Sequence, residues 1–133
     1  MSRENVDASR RFIELFNERE WDAWWKLVDD DIEWHSRADE PDADVHHGHK
    51  GLERYRDGWM EMFQDLRLEL AGESVDLGDQ VITPTRLVGR ARTTGVDVRE
   101  PYSFLFQIRE GKIALAREFR TNQEALEAVG LRE

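Results

Sequence analysis

The sequence predicts an α+β fold: three N-terminal helices packed on a curved, mostly antiparallel sheet, with a short helix at the C-terminus. Two features of the pattern predict it. Apolar residues recur at helical spacing through most of the first half, and from about residue 66 they alternate, with turn signals at Gly78-Asp79, Thr94-Gly95 and Glu110-Gly111. Size sets the bounds: 133 residues with no internal repeat and no proline-rich linker fit a single domain spanning 1–133.

From residue 3 to 18, Val6, Phe12, Ile13, Leu15 and Phe16 form one stripe of a helix. The string "NERE" interrupts it. Trp21, Trp24, Trp25 and Val28 then repeat the spacing in a short second helix, closed by Asp29, Asp30 and Asp31. In "DIEWHS" the period changes to two, with Ile32, Trp34 and Ser36 on one face, so a strand is expected, followed by a loop rich in Asp, Pro, Gly and His. Leu52, Tyr55, Trp59 and Phe63 set a third helix from near Gly51 to about Gln64, with an aromatic face. Four strands are expected at 66–77, 81–92, 98–109 and 112–121, joined as an antiparallel meander. Asn122 is placed as the N-cap of the last helix and Gly130 near its end.

Composition excludes several classes of function. With 19 Lys and Arg against 29 Asp and Glu, the formal charge of -10 repels phosphate backbones and anionic lipid, so neither nucleic acid nor membrane is an expected partner. The chain has no cysteine, which removes disulfides, thiolate catalysis and Cys-ligated metal. There is no leader-like or spanning apolar run, and a cytoplasmic protein is expected. Mean hydropathy is low at -0.75, yet five Trp, six Phe and two Tyr supply the buried surface a folded core needs. Phosphate loops, nucleophile elbows and Ser-His-Asp orderings are missing from the sequence.

The strand "KIALAREFRT" poses the functional question. Period two puts Glu118 on the same face as Ala114 and Ala116, a carboxylate beside small side chains, which fits either a working acid in a cavity wall or an ordinary ion pair with Arg120. The strand at 98–109 is apolar on both sides, Tyr102, Phe104, Phe106 and Ile108 on one and Ser103, Leu105 and Gln107 on the other. An outer face of that kind leads us to expect a homodimer through it.

Three strings, "RFIELFNEREWDAWWKLVDDDIEW", "GHKGLERYRDGWMEMF" and "REPYSFLFQIREGKIALAREF", taken in order, resemble the SnoaL-like proteins of the NTF2-like superfamily over nearly the whole chain. The resemblance implies a cone whose helices and curved sheet enclose a pocket, usually in a dimer, with functions ranging over isomerases, cyclases, epoxide hydrolases, dehydratases, ligand binders and assembly domains. Matched to ketosteroid isomerases, the three polar positions of that site carry Phe12, Ser36 and Ser103, so the same proton shuttle is not expected. Matched to limonene-epoxide-hydrolase-like proteins, the last-strand acid falls on Glu118. Their Arg and second Asp fall on Thr85 and Leu87, with Arg86 one residue out of register.

Glu118 is therefore the candidate catalytic acid or base, with Phe12, Trp34, Ser36, Tyr55, Trp59 and Ser103 as candidate substrate contacts. His35 or Arg86 is left as a possible helper. His46, His47 and His49 sit close together in "DVHHGHKG", but a Gly-interrupted loop does not fix three rings around a metal, and they read as surface or pocket rim; no metal and no cofactor is expected. Asp39, Glu40, Asp42 and Asp44 read as a solvated loop without a calcium pattern. The expected function is a cofactor-independent enzyme acting on a small hydrophobic molecule by acid/base chemistry, of isomerase, cyclase or epoxide-hydrolase type. The alternatives are a non-catalytic binder of such a molecule and a dimerisation module whose pocket is filled core.

Overall fold

The structure, a computed structural model, describes residues 2–39 and 44–130. Helix α1 (Ser2–Glu18) buries Phe12, Ile13, Leu15 and Phe16, the stripe expected of it. It stops at Arg19, which takes a left-handed φ of 60° and donates from its side chain to the carbonyls of Phe16 and Leu66. These bonds satisfy a carbonyl left open by the helix end and offset the conformational cost of a non-glycine residue at positive φ. Helix α2 (Trp21–Lys26) is shorter than its apolar spacing suggests. Val28 and the three aspartates belong instead to strand β1 (Val28–His35), because Val28 pairs in register with Ile113 and the Leu27 carbonyl accepts from the Ile113 amide at 2.7 Å. Sheet pairing overrides the local helical pattern there.

The expected loop after β1 contains a strand, β2 (Val45–His47), antiparallel to β1. Helix α3 (Gly48–Met62) follows directly, starting three residues before the first expected turn. Two glycines in "GHKG" explain that junction: Gly48 has φ of 70°, and a Cβ on Gly51 would come within 3.3 Å of the His46 backbone. The chain then passes without a loop into β3 (Phe63–Leu70). The segment expected as one strand at 66–77 is broken after Leu70, and its end forms the two-residue β4 (Val75–Asp76). Strands β5 (Gln80–Ala91), β6 (Asp97–Arg109) and β7 (Lys112–Phe119) make the expected antiparallel meander.

The sheet order is β2-β1-β7-β6-β5-β3, with β4 paired to β5, and only β1 and β7 run parallel. The helices α1, α2 and α3 lie over one face of this curved, open sheet, and the main core fills the space between. Helix α4 (Asn122–Ala128) covers part of the other face, where Ala125 and Leu126 pack with Ile82 and Leu105. Leu105, one of the residues that suggested a partner subunit over that face, is covered by the chain's own last helix. The N-cap of α4 is Thr121, whose hydroxyl accepts from the Glu124 amide at 3.1 Å. Asn122 accepts from Ser103 Oγ at 2.7 Å instead. Among the described residues, no helix is long and apolar enough to cross a membrane.

Candidate functional site

Register across the sheet builds the site. Trp34, Ala116 and Phe106 occupy one row over β1, β7 and β6. The small Ala116 lets the flanking rings meet above it, with centroids 6.0 Å apart. A bulge in β7 leaves Ala114 without a partner on β6 and brings Ile113 into the same core as Ala116. Ala116 thus shares the face of Glu118 as expected, while Ala114 is the bulge residue. Two residues beyond Ala116, Glu118 stands diagonal to Trp34, a separation that two long side chains span.

They do so here. Trp34 Nε1 donates to Glu118 Oε2 at 2.6 Å, and Tyr55 Oη, from α3, donates to both carboxyl oxygens at 2.9 Å. Glu118 is only 6% exposed. The two donors, from β1 and α3, hold the carboxyl plane in place. Arg120 is not among these partners: it pairs with Glu124 at 2.9 Å, which together with the Arg120 amide draws the Glu124 carboxyl below its usual range.

Glu118 borders a half-open cavity of about 60 Å³ under the helices, several times the ~10–15 Å³ one water needs. Phe12, Trp34, Tyr55 and Trp59, all expected as contacts, line it with Glu118. Phe12 is the hub, stacked on Trp24 at 4.9 Å, tilted against Trp34 at 5.8 Å and edge-on to Phe106 at 5.3 Å. Tyr55 and Trp59 also line an outer groove with His46, His47 and Arg54, so these two rings separate the cavity from that groove. On its other side Glu118 borders a polar hollow shared with His35, Ser36, Arg37 and Arg120.

Ser36 and Ser103 are placed away from the cavity. The Ser36 hydroxyl exchanges hydrogen bonds with the Asp44 backbone at the rim of the hollow, because β1 ends at His35 before Ser36 can follow Trp34 inward. Ser103 is one residue from Phe104 on β6 and therefore faces α4. Neither helper candidate reaches the cavity: Arg86 is exposed on β5, and His35 binds Glu33 at 2.6 Å. Thr85 and Leu87 are both buried; Leu87 lines the cavity, and Thr85 donates to the Tyr102 carbonyl.

The three loop histidines diverge. His46 stacks on Tyr55 with centroids 4.3 Å apart, and desolvation there pushes its pKa below the ordinary histidine value. His47 precedes the first turn of α3. His49 reaches the Val28 carbonyl and packs on Trp25 at 4.7 Å. Of the acidic loop, Asp39 accepts from Arg37, a bond that lowers its pKa, and Asp44 caps toward Val45. Glu40 and Asp42 lie outside the described residues.

Among the cavity-lining residues that the sequence reading does not single out, two carry unmatched polar atoms. Trp24 and Arg56 both line the cavity, and each keeps a buried donor, Nε1 and Nη1, without a hydrogen-bond partner among the described residues. The signal for Arg56 was available: it falls four residues after Leu52 and three before Trp59, a charge on the apolar stripe of α3.

A family model described as a SnoaL-like domain matches residues 9–116. No curated protein matches the chain. Among solved structures it is similar to Bal32a from a soil-derived mobile gene cassette, with a TM-score of 0.79 and 18% identity over 89% of each chain. An NTF2-like protein from Burkholderia xenovorans LB400 gives a TM-score of 0.74 and 23% identity over 90% of each chain. TerC, co-crystallised with polyporic acid, gives 0.76 and 16% identity over 93% of this chain and 96% of its own. Likeness at these identities speaks to the fold, which is that of NTF2-like proteins, and the family model, which spans most of the chain, shows the family: the chain belongs to the SnoaL-like domain family.

Proposed function

We propose that the protein is a small enzyme, working without a cofactor, that binds a one-ring or similarly small apolar molecule in the interior cavity and moves a proton with Glu118. The observation that carries this reading is a carboxyl group 6% exposed, oriented by Trp34 and Tyr55, on the wall of an otherwise aromatic cavity. As a carboxylate it can take a proton from a substrate carbon, and as the acid it can return that proton to a second position or to a ring-opening oxygen. The net change is an isomerisation, cyclisation or epoxide opening. Trp34 and Tyr55 serve as positioning residues, since the carboxyl plane they fix is the one a bound substrate meets. Similar solved structures include one named for a SnoaL-like polyketide cyclase and one for a ketosteroid isomerase-like fold, names that fit the reaction class without selecting within it.

The test begins with a thermal-shift screen of one-ring ketones, enones and epoxides, since a ligand that binds only the folded state raises its melting temperature. Compounds that shift the wild type are then assayed for turnover with Glu118→Gln, which keeps shape and removes the ionisable group. Retained binding with turnover lowered by about 100-fold or more is expected. Unchanged turnover in that variant overturns the proposal.

A second reading, a non-catalytic binder, has its own observation: Glu118 is already engaged by two buried donors, as a structural tie between β1, α3 and β7 would be. Ligands that stabilise the protein and are recovered chemically unchanged after prolonged incubation would favour it.

A further inference from the structure

The outer groove, which Tyr55 and Trp59 divide from the cavity, has a volume of about 670 Å³, within the range of small-molecule sites. The chemistry proposed for Glu118 leaves it unused. Three of its lining residues, Arg54, Gly58 and Met62, fall at i, i+4 and i+8 of α3 and so form one row along the helix. At 1.5 Å of rise per residue that row is about 12 Å long. Gly58 is its unexplained member, because glycine inside a helix is less stable than alanine. Gly51 has a packing reason, since a Cβ there would come within 3.3 Å of the His46 backbone. At Gly58 a Cβ would meet nothing within 4 Å, and the backbone is not left-handed. The fold itself does not ask for a glycine there. Glycine at such a place suits the close approach of a ligand to the helix backbone.

The row is polar at one end and apolar at the other. Arg54 is exposed and makes no ion pair among the described residues. His46 and His47 line the same groove, and Arg54 and His47 both lie near enough to His46 to disfavour its charged form. Asp44 also lines it, with Oδ1 accepting from the Val45 amide at 2.7 Å. At the far end Met62 is 52% exposed, beside a half-buried Trp59.

We propose that this groove binds a free carboxylate with an unbranched apolar tail, its head at Arg54 and its tail laid over Gly58 to Met62. The planar guanidinium fork matches a carboxylate, which can take two parallel hydrogen bonds from it. His46 and His47 add ring donors on the same side. The missing side chain at Gly58 leaves a gap one residue wide between Arg54 and Met62, the width of a single chain and not of a bulky ring. A tail there takes the exposed Met62 side chain and the Trp59 edge out of water. The formal charge of -10 repels an anionic membrane surface, so the carboxylate is a dissolved molecule and not a lipid headgroup. The site lies outside the wall of Tyr55 and Trp59, so it stands whether or not Glu118 catalyses.

The probes are decanoate, 1-decanol and decylammonium, which share a tail of about the length of the row and differ in the head. Calorimetry gives the affinities, and a carbon-correlated NMR spectrum of the three methionine methyls, with Met62→Leu to assign that of Met62, gives the place. Decanoate is expected to move the Met62 signal and to bind at least about tenfold more tightly than decanol. Arg54→Gln should bring decanoate down to the level of decanol and leave decanol unchanged. Gly58→Ala should raise the melting temperature by about 2–5 °C, and Gly58→Leu should fold and lose decanoate. Equal binding of decanoate and decanol, tighter binding of decylammonium, or a Met62 signal that stays still would each overturn the proposal. So would undiminished binding in Gly58→Leu, or binding to vesicles of anionic lipid without binding of dissolved decanoate. A dimer in sedimentation that Gly58→Leu dissociates would give the groove to a second copy of the chain and overturn it too. Glu118→Gln separates this site from the proposed reaction: decanoate binding that survives in that variant sustains the groove whatever becomes of turnover, and its loss would place the ligand in the cavity instead.

Discussion

Two sets of polar side chains packed around the cavity differ in how their hydrogen bonds are met. At Glu118 an acceptor is matched by donors from two other elements, Trp34 on β1 and Tyr55 on α3. At Trp24 on α2 and Arg56 on α3, one buried donor each, Nε1 and Nη1, has no hydrogen-bond partner among the described residues. The first arrangement holds the fold together whether or not anything binds. The second costs stability, since each buried donor has given up its hydrogen bonds to water.

The largest expected effect removes the ring that both regions share. Phe12→Ala should lower stability by about 3–5 kcal/mol, since Phe12 is 1% exposed and contacts Trp24, Trp34 and Phe106 at once. Urea unfolding measures it. A loss under about 1 kcal/mol would mean the cavity collapses around the gap, and that its walls are too mobile to orient anything.

A pair of matched substitutions tests the contrast itself. Trp34→Phe and Trp24→Phe delete the same atoms from buried positions, so their packing costs are comparable, but only the first deprives a buried carboxylate of a donor. We expect Trp34→Phe to be the more destabilising by about 1–3 kcal/mol, because removing the orphaned Trp24 donor also removes its penalty. Equal losses would show that Trp24 Nε1 finds an acceptor in solution, a buried water for example. Away from the cavity, Thr121→Ala should cost about 1 kcal/mol by leaving the Glu124 amide at the start of α4 without its acceptor. A null result there would mean that the packing of Ala125 and Leu126 on Ile82 and Leu105 holds α4 unaided.

How much of this was legible in the sequence follows the same division. Period-two alternation is strong wherever one sheet face is buried, so β5, β6 and β7 and the inward side of Glu118 could be read directly. The bulge at Ala114 could not, because an extra residue changes parity without changing composition. Ser36 and Ser103 were misread for related reasons: one lies just past the strand end, where alternation no longer applies, and the other is on the face that α4 covers. Strand β2 was missed since three residues, two of them histidine, carry no periodic signal. Trp24 was visible as part of a stripe, but its unmatched N–H depends on what surrounds it in three dimensions. Arg56 was the most readable omission, a cation placed on an apolar helical face.

The smallest expected effect concerns the wall between cavity and groove. His46 lies on Tyr55, the residue that donates to Glu118, and desolvation depresses the His46 pKa, with Arg54 and His47 adding to the shift and Asp44 opposing it. A histidine whose folded pKa is below its unfolded value binds fewer protons when folded, so stability is full above the unfolded value of about 6.5 and declines as pH falls through it toward the folded pKa. The melting temperature of the wild type should therefore drop more between pH 7.5 and 5 than that of His46→Asn, and the difference between the two curves isolates this residue from the carboxylates that titrate lower. The effect is modest because the ring is only partly buried, so solvent repays part of the desolvation. If the two curves run parallel, the imidazolium is compensated, most simply by a cation–π contact with the Tyr55 ring it already covers. In that case acid would hold Tyr55 in place over Glu118 instead of loosening it, and the wall would stay closed as the pH falls.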